Sequence, residues 1–174
     1  VEGARLDLAC CLAPLAIITF AGIRPQEVTR LTWNDIFLDT PSKVIKVRSM
    51  ASKTGGTRQV SICAALEAWL RIAPHQEDNS ICPPQWPVRW AGLRYRAGWD
   101  ANGKRWPNDA LRHTFASYHV LTHRDIPRLQ LEMGHSSSTQ IMHRYMNLSG
   151  VDQEMAECFW NIVPEEDFYA DRNA

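Results

Sequence analysis

Two stretches in the N-terminal half of the sequence carry side chains that could bind an anion. In Ala21–Val28 a glycine precedes Arg24 at the start of a candidate helix, and Glu27 stands three residues on, where it can hold the arginine in an ion pair. Lys53 lies in a glycine-containing turn, from which its ammonium group could reach a phosphate. An arginine side chain is a planar fork that matches two oxygens of a phosphate or carboxylate. Both stretches therefore suit an anionic ligand, although each alone is also typical of a solvated surface.

Two further stretches lie in the C-terminal half. Arg112 and His113 fall in the first turn of a candidate helix beside an apolar stripe, where a buried guanidinium is costly unless it is paired with an anion. That anion could belong to a structural ion pair or to a ligand. His135 follows Gly134 at a predicted helix break and could face a cleft. Tyr145 comes ten residues later, at the end of a short amphipathic helix, which by itself is typical of an ordinary packed aromatic.

The elements that must position these residues are mainly helices. Apolar spacing predicts helices at Leu6–Phe20, Gln26–Leu31, Ala64–Ile72, Val88–Trp99, Ala110–Leu121, Ile126–Met133, Thr139–Asn147 and Gln153–Trp160. Alternating apolar and polar residues predict strands at Val44–Arg48 and Arg58–Ile62, and Ile36–Leu38 is a third candidate. The expected fold class is thus mainly α with a small antiparallel β-sheet.

Particular residues predict where the helices begin and end. Pro25 suits the first turn of a helix, because its missing N–H would have no partner there. Asp109 and Asp152 each precede a predicted helix and are candidate N-caps. Gly134 is expected to end a helix. The polar, proline-rich stretch Pro74–Pro87 is predicted to be a loop.

Length and composition exclude several classes of protein. A chain of 174 residues with 45% apolar and 22% charged residues is typical of one globular domain, not of a disordered or low-complexity chain. The longest apolar stretch, Leu8–Gly22, is interrupted by Pro14 and is too short to span a bilayer, and no signal peptide is visible. The five cysteines are scattered, which favours reduced cytosolic thiols over a disulfide framework or zinc site.

The formal net charge of zero is an average over two unlike regions. Residues 151–174 hold seven acids and one base, whereas residues 1–150 hold 18 bases and 12 acids. Fifteen of the 19 bases are arginine. A mildly basic body suits a phosphate-bearing partner, although an ordinary surface of mixed charge fits the same counts.

Taken together, the four stretches resemble the catalytic domain of the tyrosine recombinases, the phage-integrase family. The matching segments are GIRPQEVTRLTWNDI, SKTGGTRQVSI, LRHTFASYHV and MGHSSSTQIMHRYM, in the family's order, and the resemblance runs from about Leu6 to Trp160. It implies a catalytic domain at residues 1–163 and an acidic tail at 164–174 that we expect to be mobile. It also implies that this chain lacks the family's N-terminal core-binding domain.

The resemblance implies a role in phosphodiester chemistry for each residue of these motifs. Arg24 and Arg112 would be the catalytic arginines that clamp the non-bridging oxygens, and Tyr145 would be the nucleophile that forms a covalent 3′-phosphotyrosine. Lys53 would be the general acid for the leaving 5′-oxygen. His135 would hydrogen-bond the phosphate or help to deprotonate the tyrosine. The reaction would require no cofactor and no metal.

Three more residues are uncertain or supporting members of the same site. Glu27 matches the family's acid that supports the first arginine. Asp109 stands where the family often has histidine, and we expect it to cap the helix and to orient Arg112. Asn108, beside it, could donate a hydrogen bond instead.

The implied function is site-specific DNA recombination or integration by an enzyme of a mobile genetic element. The partners would be double-stranded DNA and, for the full-length protein, further copies in a tetramer, with no membrane and a cytoplasmic, nucleoid-associated location. The apolar face of the segment Val151–Trp160 could dock in cis or in trans. The interval from His135 to Tyr145 is one residue longer than is usual in the family, so a catalytically degenerate DNA-binding module is an alternative. An α-helical regulator without catalysis is a more distant one.

Overall fold

The computed structural model describes residues 9–48, 56–100, 103–134 and 150–165. The helices in these ranges are α1 (Leu12–Ala21), α2 (Pro25–Val28), α3 (Ala64–Ile72), α4 (Trp86–Arg96), α5 (Ala110–His123), α6 (Ile126–Met133) and α7 (Gln153–Trp160). The strands are β1 (Ile36–Phe37), β2 (Val44–Val47) and β3 (Arg58–Ser61), and a short 3₁₀ helix spans Trp33–Asp35. The predicted fold class, mainly α with a small antiparallel sheet, is confirmed.

The sheet has three antiparallel strands in the order β1-β2-β3. Ile45 of the central strand pairs with Ile36 on one side and with Val60 on the other. Ile45 and Val47 are buried while Lys46 between them is exposed. One face of β2 therefore packs against the helices and the other meets solvent, as the alternation predicts.

The core is built around α1, which is apolar on nearly all sides and so is surrounded by other elements. It packs against α3 and α5. Helix α7 covers the adjoining surface of the same chain: the Phe159 ring lies 5.1 Å from that of Phe20 and 4.6 Å from that of Tyr118, centroid to centroid. The indole N–H of Trp69 donates to the carbonyl of Ile162. This C-terminal helix therefore packs against its own chain.

Two of the predicted caps are confirmed and one is wrong. The Asp152 side chain accepts the N–H of Met155 at 2.8 Å, and Gly134 ends α6 with a left-handed φ of 63°. Asp109 precedes α5 but has a φ of 53° and makes no side-chain capping bond. An N-cap side chain reaches the first turn from extended backbone, and the left-handed conformation removes that geometry.

The predicted loop Pro74–Pro87 extends too far, because α4 begins at Trp86. The proline at its second position costs nothing, since the first N–H groups of a helix have no partner in any case. Trp86 is buried and stacks near Trp90 at 5.9 Å between ring centroids, which stabilises this earlier start. The predicted helix Thr139–Asn147 and most of the acidic tail lie outside the described residues.

Candidate functional site

Arg24 lies where the chain turns from α1 into α2. Gly22 ends α1 with a left-handed φ of 59°, and Pro25 opens α2. Between them Arg24 is extended, and both its backbone and its side chain reach Glu27. The backbone N–H donates to Oε2 at 3.3 Å, and Nη1 donates to Oε1 at 3.2 Å. The ion pair expected from the three-residue spacing is therefore present.

Glu27 also binds a second arginine, which the sequence pattern does not single out. Arg58, the first residue of β3, donates Nη2 to Glu27 Oε2 at 2.6 Å and Nη1 to Oε1 at 3.2 Å. This is the two-point contact that a guanidinium makes with a carboxylate. The Glu27 side chain is 1% exposed, so its charge is shielded from water and needs nearby cations. Arg58 stands in the segment SKTGGTRQVSI, five residues after Lys53, but nothing in the sequence indicates that it pairs with Glu27.

Arg112 is buried in the first turn of α5, with 3% of its surface exposed. Its Nη1 donates to the carbonyl of Gly22, and its Nη2 donates to the carbonyl of Met133 at 2.8 Å. The ring of Phe115, one turn further along α5, packs against Gly22. Backbone carbonyls from α1 and α6 thus orient this guanidinium, a role that was expected of Asp109.

Three guanidinium groups meet at the C-terminal end of α6. Its last carbonyls lack partners within the helix and carry the negative end of the helix dipole. Three successive carbonyls, from 132 to 134, are satisfied by arginines of three other elements: Glu132 by Arg58 Nε at 2.8 Å, Met133 by Arg112 Nη2 at 2.8 Å, and Gly134 by Arg24 Nη2 at 3.0 Å. Arg24 and Arg112 consequently lie side by side, next to the residue that precedes His135.

The cluster carries excess positive charge. Its three arginines face one buried carboxylate, Glu27, whereas the neighbouring Glu132 carboxylate accepts from Arg128 Nε at 3.2 Å and from the Ser61 hydroxyl at 2.7 Å. The Arg24 side chain is 19% exposed. A partly desolvated group of fixed donors with surplus positive charge can bind an anion such as a phosphate.

The remaining predicted site residues are not brought into this cluster by the described structure. Asn108 and Asp109 are exposed at the start of α5. Lys53, His135 and Tyr145 lie outside the described residues. Among the described residues, no group of three or more histidine, cysteine or acidic side chains could hold a metal ion, and no helix is long and apolar enough to cross a membrane.

A buried histidine packs beside the same helix end and makes stability depend on pH. His119 is 3% exposed, and its Nε2 lies 3.9 Å from Glu132 Oε2. Burial, and then the neighbouring His123, lower the pKa of His119 to about 4, while Glu132 and Asp125 act in the opposite direction. The unfolded chain, with a histidine pKa of about 6.5, therefore takes up this proton first. The contribution that neutral His119 makes to stability is fully present above about pH 6.5 and is lost as pH falls towards 4.

We expect the protonation of His119 in the unfolded chain to lower the free energy of unfolding by about 2 kcal/mol when pH falls from 7 to 5. The measurement is the free energy of unfolding by urea at both pH values, for the wild type and for His119→Gln. The substitution should reduce the pH dependence by about that amount, because glutamine does not titrate. An unchanged pH dependence would contradict a neutral buried imidazole.

Comparison with known proteins gives the family. The sequence matches the model of the phage integrase family over residues 6–150, and the chain therefore belongs to that family. A search of curated proteins found no significant sequence relative.

Solved structures with the same fold include two recombinases and a bacteriophage integrase. The XerA recombinase superposes with a TM-score of 0.62 at 19% identity, over 91% of this chain and 59% of its own. The catalytic domain of bacteriophage HP1 integrase gives 0.59 at 21% identity, over 84% and 80%. The XerH recombinase, solved with its difH substrate, gives 0.56 at 21% identity, over 78% and 42%. At these identities the likeness establishes the fold, and the chain spans about half the length of the Xer recombinases.

Proposed function

We propose that this chain is the catalytic domain of an enzyme that recombines DNA at specific sites by breaking and rejoining strands through a covalent 3′-phosphotyrosine. The observation that carries the proposal is the meeting of Arg24 and Arg112 on adjacent carbonyls at the end of α6. These arginines come from distant parts of the sequence, and the motifs that contain them resemble those with which the family binds the scissile phosphate. Membership of the phage integrase family supports the same reaction.

In the proposed mechanism the arginines bind the scissile phosphate before any bond changes. A phosphodiester carries one negative charge, and its pentacoordinate transition state carries more. Arg24 and Arg112 stabilise the added charge with donors that are already oriented by the protein, which saves the cost of reorganising solvent. Carbonyls hold Arg112 on two sides, so it has the rigidity that this role requires.

The remaining steps exchange one ester for another. The phenolic oxygen of Tyr145 forms a bond to phosphorus as the bond to the 5′-oxygen breaks. The phenol proton passes to a base, the role proposed for His135, and Lys53 supplies a proton to the departing 5′-oxygen. Attack by a 5′-hydroxyl reverses these steps and frees the tyrosine. The phosphotyrosine conserves the ester bond, so rejoining needs no nucleotide cofactor.

The residues that precede α5 in the sequence form a basic and aromatic surface that suits double-stranded DNA. Residues 86–106 contain five bases and one acid, together with four tryptophans. The tryptophans support the charges: the Lys104 ammonium lies 4.2 Å from the Trp99 ring centroid, and the Arg94 guanidinium lies 5.3 Å from that of Trp90. Lys104 and Arg105 are exposed. Such groups neutralise DNA phosphates without reading sequence.

Related structures support DNA as the partner. XerH was solved in a pre-cleavage complex with difH, and the Tn1549 transposon integrase was solved with circular-intermediate DNA. The latter superposes on this chain with a TM-score of 0.53 at 14% identity, over 89% of this chain and 64% of its own.

The proposal is tested by trapping the covalent intermediate. The chain is incubated with nicked duplexes whose central base pairs are randomised, so that the unknown target is represented and the nick prevents rejoining. We expect a DNA-linked protein that survives denaturation, and sequencing of its DNA gives the target. Tyr145→Phe should abolish the adduct, whereas Tyr118→Phe, a control at a tyrosine of α5 that packs against Phe159, should leave it unchanged.

Each other outcome has a definite meaning. An adduct that survives Tyr145→Phe would show that another residue is the nucleophile. DNA binding without any adduct would favour the degenerate DNA-binding module. Neither binding nor adduct would leave a regulator of this fold as the better account.

Replacing two of the exposed bases in residues 86–106 tests the DNA contact separately. We expect Lys104→Gln/Arg105→Gln to weaken binding to duplex DNA and to reduce the slope of log affinity against log salt by about 1 to 2, because each phosphate contact releases about one counterion. The measurement is fluorescence anisotropy of a labelled duplex at several salt concentrations. Arg71→Gln, which removes a half-exposed arginine on α3, is the matched control. An unchanged slope would contradict the contact.

A further inference from the structure

We propose that Arg58 is a positioning residue for the phosphate-binding pair: it neutralises Glu27 and holds the end of α6, which leaves the charge and free donors of Arg24 for the ligand. This inference rests on the proposed function, since it concerns how the same site binds a phosphodiester. It assigns a role to a residue of β3 that the sequence motifs alone do not identify.

The hydrogen bonds of Arg58 distinguish it from a ligand-binding arginine. All three of its side-chain nitrogens donate to protein acceptors: Nη1 and Nη2 to Glu27, and Nε to the carbonyl of Glu132. A guanidinium committed in this way holds other groups in place and has little left for a phosphate.

The charge balance shows what Arg58 does for Arg24. Glu27 is buried beside Arg24, and the two alone would form a neutral pair next to an incoming anion. Arg58 Nη2 lies 2.6 Å from Glu27 Oε2, whereas Arg24 Nη1 lies 3.2 Å from Glu27 Oε1. The second arginine therefore gives the set of two arginines and one carboxylate a net positive charge. At separations of several ångströms and an effective dielectric near 20, one unit of charge changes anion affinity on the order of tenfold to a hundredfold.

Arg58 also connects the parts of the site. It ties β3 to the last turn of α6, one position before the carbonyl that Arg112 contacts and two before the carbonyl that Arg24 contacts. Gly134 leaves room for it, because a Cβ at that position would stand 3.1 Å from the Arg58 guanidinium. The strand that follows Lys53 in the sequence is thereby joined to the helix that precedes His135.

The test compares four variants for binding of inorganic phosphate, whose recognition does not depend on DNA sequence. The probe is the set of arginine Nε–Hε NMR signals of the ¹⁵N-labelled chain, titrated with phosphate and assigned by substitution. We expect the Arg24 and Arg112 signals of the wild type to shift saturably. Arg58→Met should weaken phosphate binding by about tenfold or more, and Arg58→Lys should recover part of the loss.

The double variant Glu27→Gln/Arg58→Met separates positioning from a general structural role. Removing the carboxylate removes the charge that Arg58 offsets, so affinity should return to within about threefold of the wild type. Arg71→Met is the control, because Arg71 also bridges two carboxylates, Glu67 and Asp39. Thermal unfolding of every variant is measured alongside. Should Arg58→Met fail to fold, the double variant and Arg58→Lys carry the comparison.

Three results would overturn the inference. The first is a wild-type chain whose arginine signals do not shift when phosphate is added, and the second is Arg58→Met binding phosphate with wild-type affinity. The third is a folded double variant that binds phosphate as weakly as Arg58→Met. The proposed function fails in a different way, through the absence of a Tyr145-dependent DNA adduct. Phosphate affinity could change in the Glu27 and Arg58 variants as expected while no adduct forms. That result would support the positioning role in a domain that binds DNA but does not cleave it.

Discussion

Arg112→Met is expected to lower the rate of DNA cleavage by about 10²–10³-fold, the usual effect of deleting one donor from a preorganised oxyanion site. The physical reason is that Arg112 is buried, rigidly held and adjacent to Arg24, so water cannot take its place during the reaction. The measurement is the single-turnover rate of adduct formation, with protein in excess over a nicked duplex that contains the recovered target.

The same substitution is expected to reduce stability, which has to be separated from the catalytic effect. The carbonyls of Gly22 and Met133 would lose a charged donor, and an unsatisfied buried acceptor costs about 1–3 kcal/mol. The rate is therefore measured below the melting temperature of each variant, with Arg71→Met as control. A folded Arg112→Met chain that cleaves at the wild-type rate would remove this arginine from the reaction.

Gly22→Ala is expected to have the largest effect on stability, lowering the free energy of unfolding by about 2–5 kcal/mol. The left-handed φ of 59° costs a residue with a Cβ about 1–2 kcal/mol, and forcing a methyl group against the ring of Phe115 adds about 1–3 kcal/mol. Because the Gly22 carbonyl also accepts from Arg112, a shift at this position would move the proposed phosphate site. The measurement is urea unfolding at neutral pH.

Gly98→Ala is the matched control for the steric part of this prediction. Gly98 also has a positive φ, 81°, but nothing lies within 4 Å of the position that its Cβ would occupy. It should therefore lose only the conformational part, about 1–2 kcal/mol. Equal losses in the two variants would show that the contact with Phe115 is relieved by a small movement.

The end of α6 explains why the site can be both rigid and positively charged. Arginines close together repel one another, yet here each donates to its own carbonyl at the negative end of one helix. The helix thus offsets part of the repulsion without introducing a further carboxylate that would repel a phosphate. In the proposed reaction, this arrangement keeps the guanidiniums oriented before DNA binds.

Much of the fold could be predicted because the relevant forces act over a few residues. Helices Ala64–Ile72, Ile126–Met133 and Gln153–Trp160 were expected with the bounds that the structure has, since apolar spacing and nearby capping residues determine them. The ion pair between Arg24 and Glu27 is local in the same way. Family motifs indicated the candidate site residues, and the roles of Lys53, His135 and Tyr145 stay predictions.

What the sequence determined by itself is thus most of the elements of the described residues, their approximate bounds, and the family to which the chain belongs. The tertiary structure alone decided that Arg58 shares Glu27 and that three arginines donate to the carbonyls of three successive residues at the end of α6. These contacts join residues far apart in the chain, and no local pattern encodes them. They form because buried carbonyls and a buried carboxylate must find donors once folding has excluded water.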